Sequence, residues 1–276
     1  MKINRRDLNG VLILNKPTGA TSNKILQRVK YIFRAKKAGH TGSLDPLASG
    51  VLPICFGEAT KFSQFLLNEN KVYQVTAKLG VATDSGDSDG AVIETKTVSD
   101  YSDNQIHQVL DNFRGKISQI PSMYSALKHN GRPLYEYARK GITIPRESRN
   151  INVYSLELLN RTKDELTMKI ACSKGTYIRT IVEDIGKELG CGAHVIELIR
   201  LSVGDFDIRD AIGLEELETI AGRYSEDICE ENNDIDNESN NAADNTTNEK
   251  SREKLDSLLL PVSSPLYNLS SIEIPE

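Results

Sequence analysis

Apolar and polar positions alternate along this chain with a period that changes several times. Val11 to Leu14 form a continuous apolar run that ends at Lys16-Pro17-Thr18-Gly19, which predicts a short strand entering a turn. Ile25, Val29 and Ile32 then recur at helical spacing while Lys24, Arg28 and Lys30 fall on other faces, so a helix is expected there with Ser22 as its cap. Tyr73, Val75, Ala77 and Leu79 alternate with Gln74, Thr76 and Lys78, the period-two pattern of a half-buried strand. Ile106, Val109, Leu110 and Phe113 predict an amphipathic helix, followed by the irregular stretch ISQIPSMYSALKHNGRPLYEYARKG. A second alternating strand comprises Leu166, Met168, Ile170 and Cys172. A helix with Ile178, Ile181, Ile185 and Leu189 on its buried stripe follows, and Gly190 is placed to end it. Strands and helices succeed one another without a regular βαβ period or an internal repeat. The expected class is α+β, with a mixed, largely antiparallel sheet flanked by helices and loops.

Composition narrows the possibilities. A chain of 276 residues with 38% apolar content can bury a core of ordinary size. No run approaches the roughly 18 apolar residues of a membrane span, and the opening MKINRRDLNGVLILNK is too short in apolar residues for a signal peptide. A cytoplasmic location without membrane attachment is expected. Cys55, Cys172, Cys191 and Cys229 show no CxxC spacing and the four histidines form no HxxxH or HExxH pair, so neither a disulfide scaffold nor a zinc site is expected. The loop Asp84 to Gly90 (DSGDSDG) resembles a calcium loop only faintly, since the twelfth position holds Lys96 where a bidentate glutamate belongs.

The net charge of -5 conceals an uneven distribution. Residues 1 to 210 hold 30 Lys and Arg against 23 Asp and Glu, a surplus of +7, and residues 211 to 276 hold 4 against 16, a deficit of -12. A basic body suits a polyanion, because each neutralised phosphate releases counterions, although many ordinary domains are equally basic. The cluster Arg34, Lys36 and Lys37 reads equally as an exposed turn or a phosphate contact. Tyr124, Tyr135 and Tyr137, set among basic residues, fit a stacking surface for bases or the edge of a core. From about Tyr224 to Glu253 the composition turns to Asn, Asp, Glu, Ser and Thr, which cannot bury enough surface to offset its ordering entropy. The expected organisation is a catalytic domain over residues 1–222, an acidic disordered linker over 223–257, and a short tail over 258–276 that packs back on the body or stays loose.

The segment GHTGSLDPLASG, Gly39 to Gly50, holds the most suggestive acid, Asp45. Glycine and proline fix a bent backbone, and Pro46 biases Asp45 towards an extended conformation, so its carboxylate would project from a rigid loop. An aspartate that merely caps a turn before proline satisfies the same composition.

The stretch GHTGSLDPLASGVLPICFGEATKF resembles, nearly residue for residue, the catalytic motif of bacterial TruB-type tRNA pseudouridine synthases. NGVLILNKPTGATSN, KVYQVTAKLGVATDSGDSDG, FRGKISQIPSMYSALKHNGRPLYEYARKG and CSKGTYIRTIVEDIGKELGCGAHV are similar to the same family in the same order, over roughly residues 8 to 210. The resemblance implies the pseudouridine synthase fold and conversion of uridine to pseudouridine at position 55 in the T loop of tRNA, with no cofactor or metal. It makes Asp45 the essential carboxylate, Tyr73 the ring stacked on the target base, and Arg179 the partner that favours an ionised Asp45. It places Tyr177 and Leu198 around the flipped nucleotide and sends His40 into the RNA loop where a base has left its stack. A histidine bonded within its own loop and a leucine packing a helix are alternatives for the last two. Lys16 and Lys61 serve phosphates or brace the site. The implied partner is the T-arm stem-loop of tRNA, met by a monomer.

Full-length bacterial relatives carry a PUA domain after the catalytic one, and the chain ends at Glu276 about where it would begin. Absence of that domain, with weaker or more salt-sensitive tRNA binding, is therefore expected. Two rival readings remain: a non-catalytic RNA-binding protein on the same scaffold, and a hydrolase pairing Asp45 with His40.

Overall fold

In the computed structural model of the chain, residues 5–222 and 249–266 are described. They fall into two compact units. The first comprises Met1–Asp45, Gly50–Leu67 and Ile208–Glu276, and the second Pro46–Ser49 and Asn68–Asp207. No helix among the described residues is long and apolar enough to cross a membrane.

The first unit is built on β1 (Gly10–Lys16), α1 (Ser22–Ile32), β2 (Ala38–His40) and β3 (Ser49–Phe56). β3 pairs antiparallel with both β1 and β2, while the short strand Ile212–Gly213 lies parallel to β1. The apolar stripe of α1, Ile25, Leu26, Val29 and Ile32, packs with Leu12, Leu14, Leu52, Ile54 and Phe56 in one buried cluster. The helix is capped by Thr21, whose hydroxyl accepts from the Lys24 N–H at 3.2 Å, and not by Ser22. Two adjacent hydroxyls satisfy the same capping preference in sequence. Ser22, one residue on, is inside the first turn and turns its side chain elsewhere.

The segment expected as linker behaves differently at its end. Glu249–Asp256 form a helix, with Leu255 buried in the same cluster and Asp256 paired with Arg6. Beyond it, Leu260 exchanges backbone hydrogen bonds with Val11 in both directions, at 2.8 and 3.0 Å. One leucine on a polar helix, docked into an existing core, supplies the burial that composition alone does not reveal. The remainder of the expected linker, 223–248, and tail residues 267–276 lie outside the described residues.

The second unit carries an antiparallel sheet of β4 (Lys71–Leu79), β5 (Gly115–Gln119), β6 (Arg149–Arg161) and β7 (Glu165–Cys172), crossed by α2 (Ile178–Leu189) and completed by β8 (Ala193–Val203). The strand order is β8-β4-β7-β6-β5. The helix foreseen around Ile106 spans Asp103–Asp111 and stops before Phe113, and it starts at a capping box formed by Ser102 and Gln105.

α2 ends at Gly190 in the left-handed conformation with φ 84°, as a helix-terminating glycine should. Gly186 lets this helix approach the start of β8: a Cβ there would stand 2.3 Å from the Ala193 nitrogen. Backbone cannot yield as a side chain would. Gly186→Ala should therefore lower stability by about 1–3 kcal/mol despite alanine's better helix propensity. Urea denaturation tests this, and an unchanged midpoint would rule out the close approach.

Candidate active site

The loop that bears Asp45 leaves β2 at His40 and enters β3 at Ser49. Hydrogen bonds hold it at Thr41 and at Leu44. The Thr41 N–H donates to the Pro53 carbonyl at 3.0 Å, and the Ser22 hydroxyl takes both ends of Leu44, accepting from its N–H at 2.8 Å and donating to its C=O at 3.0 Å. Ser22 and Leu44 are both buried, whereas Asp45 is half-buried. The peptide immediately before the acid is thus held by the first turn of α1.

His40 is half-buried at the end of β2, opposite Ile54. Lys61 is exposed and paired with Glu58. Lys16 is fully buried, with its ammonium donating to the Pro17 carbonyl at 2.8 Å. Of the two readings of Lys16, so enclosed a side chain fits the brace.

In the second unit, the register brings Tyr73 and Leu198 onto one face of the sheet. Tyr73 faces Ile170 on one side and Arg200 on the other, and Leu198 pairs with Val75, two residues along β4. Leu198 is buried and lies on β8, a strand and not a helix. Arg200, only 1% exposed, is a neighbour of Tyr73 that the sequence reading passed over. Its signal was there: it shares parity with Leu198, which sets a charge on an apolar face. Lys71 on β4 is also buried, and its pKa is pushed down to about 8 by that burial first and by Arg200 second.

Tyr177 and Arg179 stand together at the start of α2, Tyr177 being the N-cap residue. Arg179 is 5% exposed, and its guanidinium meets acceptors from two loops. Nη1 reaches the Ser85 carbonyl at 2.9 Å and Asp87 Oδ2 at 3.3 Å, and Nη2 reaches the Tyr124 carbonyl at 2.8 Å. Asp87, 4% exposed, belongs to the acidic loop set aside as a calcium site. That loop is fastened to β8 by the Ser88 N–H on the Val195 carbonyl at 2.9 Å and the Val195 N–H on the Gly86 carbonyl at 3.0 Å. Three acids in DSGDSDG look alike in sequence, and only this pairing distinguishes Asp87. Close by, burial raises the pKa of the Glu183 carboxyl on α2, against the opposing pull of Lys187.

The three tyrosines considered for base stacking have local partners. The Tyr124 hydroxyl donates to Asp84 at 2.7 Å, Tyr135 lies under the Arg139 guanidinium at 5.4 Å, and the Tyr137 hydroxyl donates to the His129 carbonyl at 3.1 Å.

Comparison with known proteins gives these residues a context. Residues 30–178 match the TruB family pseudouridylate synthase N-terminal domain, and residues 179–267 the tRNA pseudouridylate synthase B C-terminal domain. The chain is 52% identical over 270 residues to the tRNA pseudouridine synthase B of Tolumonas auensis, covering 98% of this chain and 77% of that protein. It is 51% identical over 269 residues to the one from Photobacterium profundum, covering 98% and 78%. Among solved structures, a chain of a Cbf5-Nop10-Gar1 complex is similar at a TM-score of 0.66 and 29% identity, over 93% of this chain. A chain of an H/ACA RNP bound to a substrate RNA containing 2'-deoxyuridine is similar at 0.57 and 30%, over 76% of this chain. This chain spans 61% and 52% of the lengths of those two chains. Two family models that between them match residues 30–267, and half-identical relatives along nearly its whole length, show that the chain belongs to the TruB family of pseudouridylate synthases.

Proposed function

We propose that this chain isomerises uridine to pseudouridine in tRNA, at position 55 of the T loop, with Asp45 as the essential carboxylate. The observation that carries the reading is the likeness to tRNA pseudouridine synthase B over 98% of the chain. The anchoring of the Leu44 peptide by Ser22 adds physical support, because a reactive acid works best from a fixed position.

In the reaction the bond between uracil N1 and ribose C1′ breaks, the detached base turns, and C5 bonds to C1′. The C5 proton is lost and N1 gains one, so the product is an isomer of the substrate. An ionised carboxylate can add to the base, attack C1′ or remove a ribose proton, and each route uses the same group. The target must first leave its stack, at a cost of a few kcal/mol. Tyr73 meets it with a flat ring, Tyr177 and Leu198 flank the nucleotide, His40 fills the vacated place in the RNA loop, and Arg179 serves Asp45. Lys61 is available to a phosphate, and Lys16 supports its turn from within.

Purified protein mixed in excess with a T-arm stem-loop carrying tritium at C5 of its uridines should release one equivalent of tritium per RNA. Binding without release would establish the RNA-binding reading instead. Appearance of free uracil would establish a hydrolase.

A further inference from the structure

Gln119 is the last residue of β5 and the only buried side chain of that strand, at 2% exposed. Its amide grips the backbone of Tyr177 from both sides. Gln119 Oε1 accepts from the Tyr177 N–H at 2.8 Å, and Nε2 donates to the Tyr177 C=O at 2.9 Å. The two residues are 58 positions apart in sequence, so this contact is made only by the tertiary fold.

Tyr177 needs such a grip. It follows the turn Ser173 to Thr176, which passes through Gly175 at φ 78°, and it is the N-cap of α2 without a side-chain cap of its own. Its carbonyl accepts from the Ile181 N–H at 3.2 Å, which ties it to the helix, while its N–H has no helical acceptor. The side-chain amide of Gln119 acts as an extra peptide unit at the end of β5. It satisfies that N–H and gives the carbonyl a second donor. One hydrogen bond holds the peptide before the Tyr177 Cα and the other the peptide after it, which fixes the direction in which the Cα–Cβ bond leaves.

We propose that Gln119 is a positioning residue that aims the Tyr177 ring at the flipped nucleotide through a two-point hold on the Tyr177 peptide. This rests on the reading of Tyr177 as a nucleotide contact. Gln119 itself touches no substrate. A misdirected ring leaves the target base poorly seated, which slows the chemical step more than it weakens RNA binding, since most of the affinity comes from contacts elsewhere along the RNA.

The test is a double-mutant cycle under single-turnover conditions with the T-arm RNA, using Gln119→Met, which keeps the volume and removes both hydrogen bonds, and Tyr177→Ala. Gln119→Met alone should slow turnover by about 10-fold or more while the Kd for RNA moves less than about threefold. In the Tyr177→Ala background it should add almost nothing, because no ring is left to aim. An equal slowing in both backgrounds would reduce Gln119 to a folding contact and overturn the proposal, as would a normal rate in the single variant. Should Tyr177→Ala turn over normally, the nucleotide reading of Tyr177 fails, and the proposal fails with it.

Gln119→Glu provides a second measurement if the methionine variant does not fold. Its ionised carboxylate can accept from the N–H but repels the carbonyl, whereas its neutral acid restores a donor. The rate relative to wild type should therefore rise as the pH is lowered from about 8 to 6, because burial favours the neutral form of the new carboxyl. A ratio that stays flat across that range counts against the two-point hold.

Discussion

Asp45→Asn is expected to lower the single-turnover rate of pseudouridine formation by about 10²- to 10⁴-fold or more, with the Kd for T-arm RNA within about threefold of wild type. Asparagine has the shape of aspartate but carries no charge, so it can neither form a covalent bond as a nucleophilic carboxylate nor take up a proton. The loop should keep its form. The Ser22 hydroxyl on the Leu44 backbone and the Thr41 N–H on Pro53 remain in the variant, because neither bond uses the Asp45 side chain. A rate assay beside a binding isotherm separates the two effects, and normal turnover in the variant would remove Asp45 from the mechanism.

The second large effect concerns stability. Arg179→Met should destabilise the protein by about 3–5 kcal/mol, the range for breaking one half of a buried ion pair. Methionine nearly fills the space, but it leaves the Asp87 carboxylate enclosed without that cation and takes a donor from the carbonyls of Ser85 and Tyr124. Adding Asp87→Asn removes the stranded charge. The double variant should therefore lose clearly less stability than the sum of the two singles, while turnover stays low because Arg179 is gone. Urea denaturation of all four proteins measures this. Additive losses would mean that the 3.3 Å contact couples the two residues little.

Local pattern made much of the fold readable. The alternation in β4 and β7 and the apolar stripes of α1 and α2 are properties of short segments, and so is Gly190 as a helix stop. β8 escaped notice for a reason visible in its register. A bulge between Val195 and Glu197 shifts the phase, so that Ala193 and Val195 point inward before it and Leu198 and Arg200 after it. No single period-two template spans such a strand. The helix Glu249–Asp256 was hidden in a different way, because its one buried residue, Leu255, has meaning only beside a core assembled from distant segments.

The candidate site divides along the same line. Asp45, Tyr73, Tyr177 and Arg179 sit in the long segments whose resemblance to the family singled them out. The residues that hold them carry no such label. Ser22 looked like a helix cap, Asp87 like one of three equivalent loop acids, and Gln119 like a polar residue in an irregular stretch. Their partners are 22, 92 and 58 positions away respectively. Such contacts are decided by tertiary packing, which no local window contains.

The Ser22 contact has an entropic side. A loop with three glycines between Gly39 and Gly50 has unusually many conformations available to it when free. If the loop took up its working shape only on meeting RNA, the ordering would be charged against affinity, at roughly 1–2 kcal/mol for each residue fixed. By bonding both the N–H and the C=O of Leu44 from the first turn of a helix packed into the core, Ser22 shifts that ordering to the moment the chain folds. The acid then waits preorganised, and opening of its loop is tied to fraying of α1.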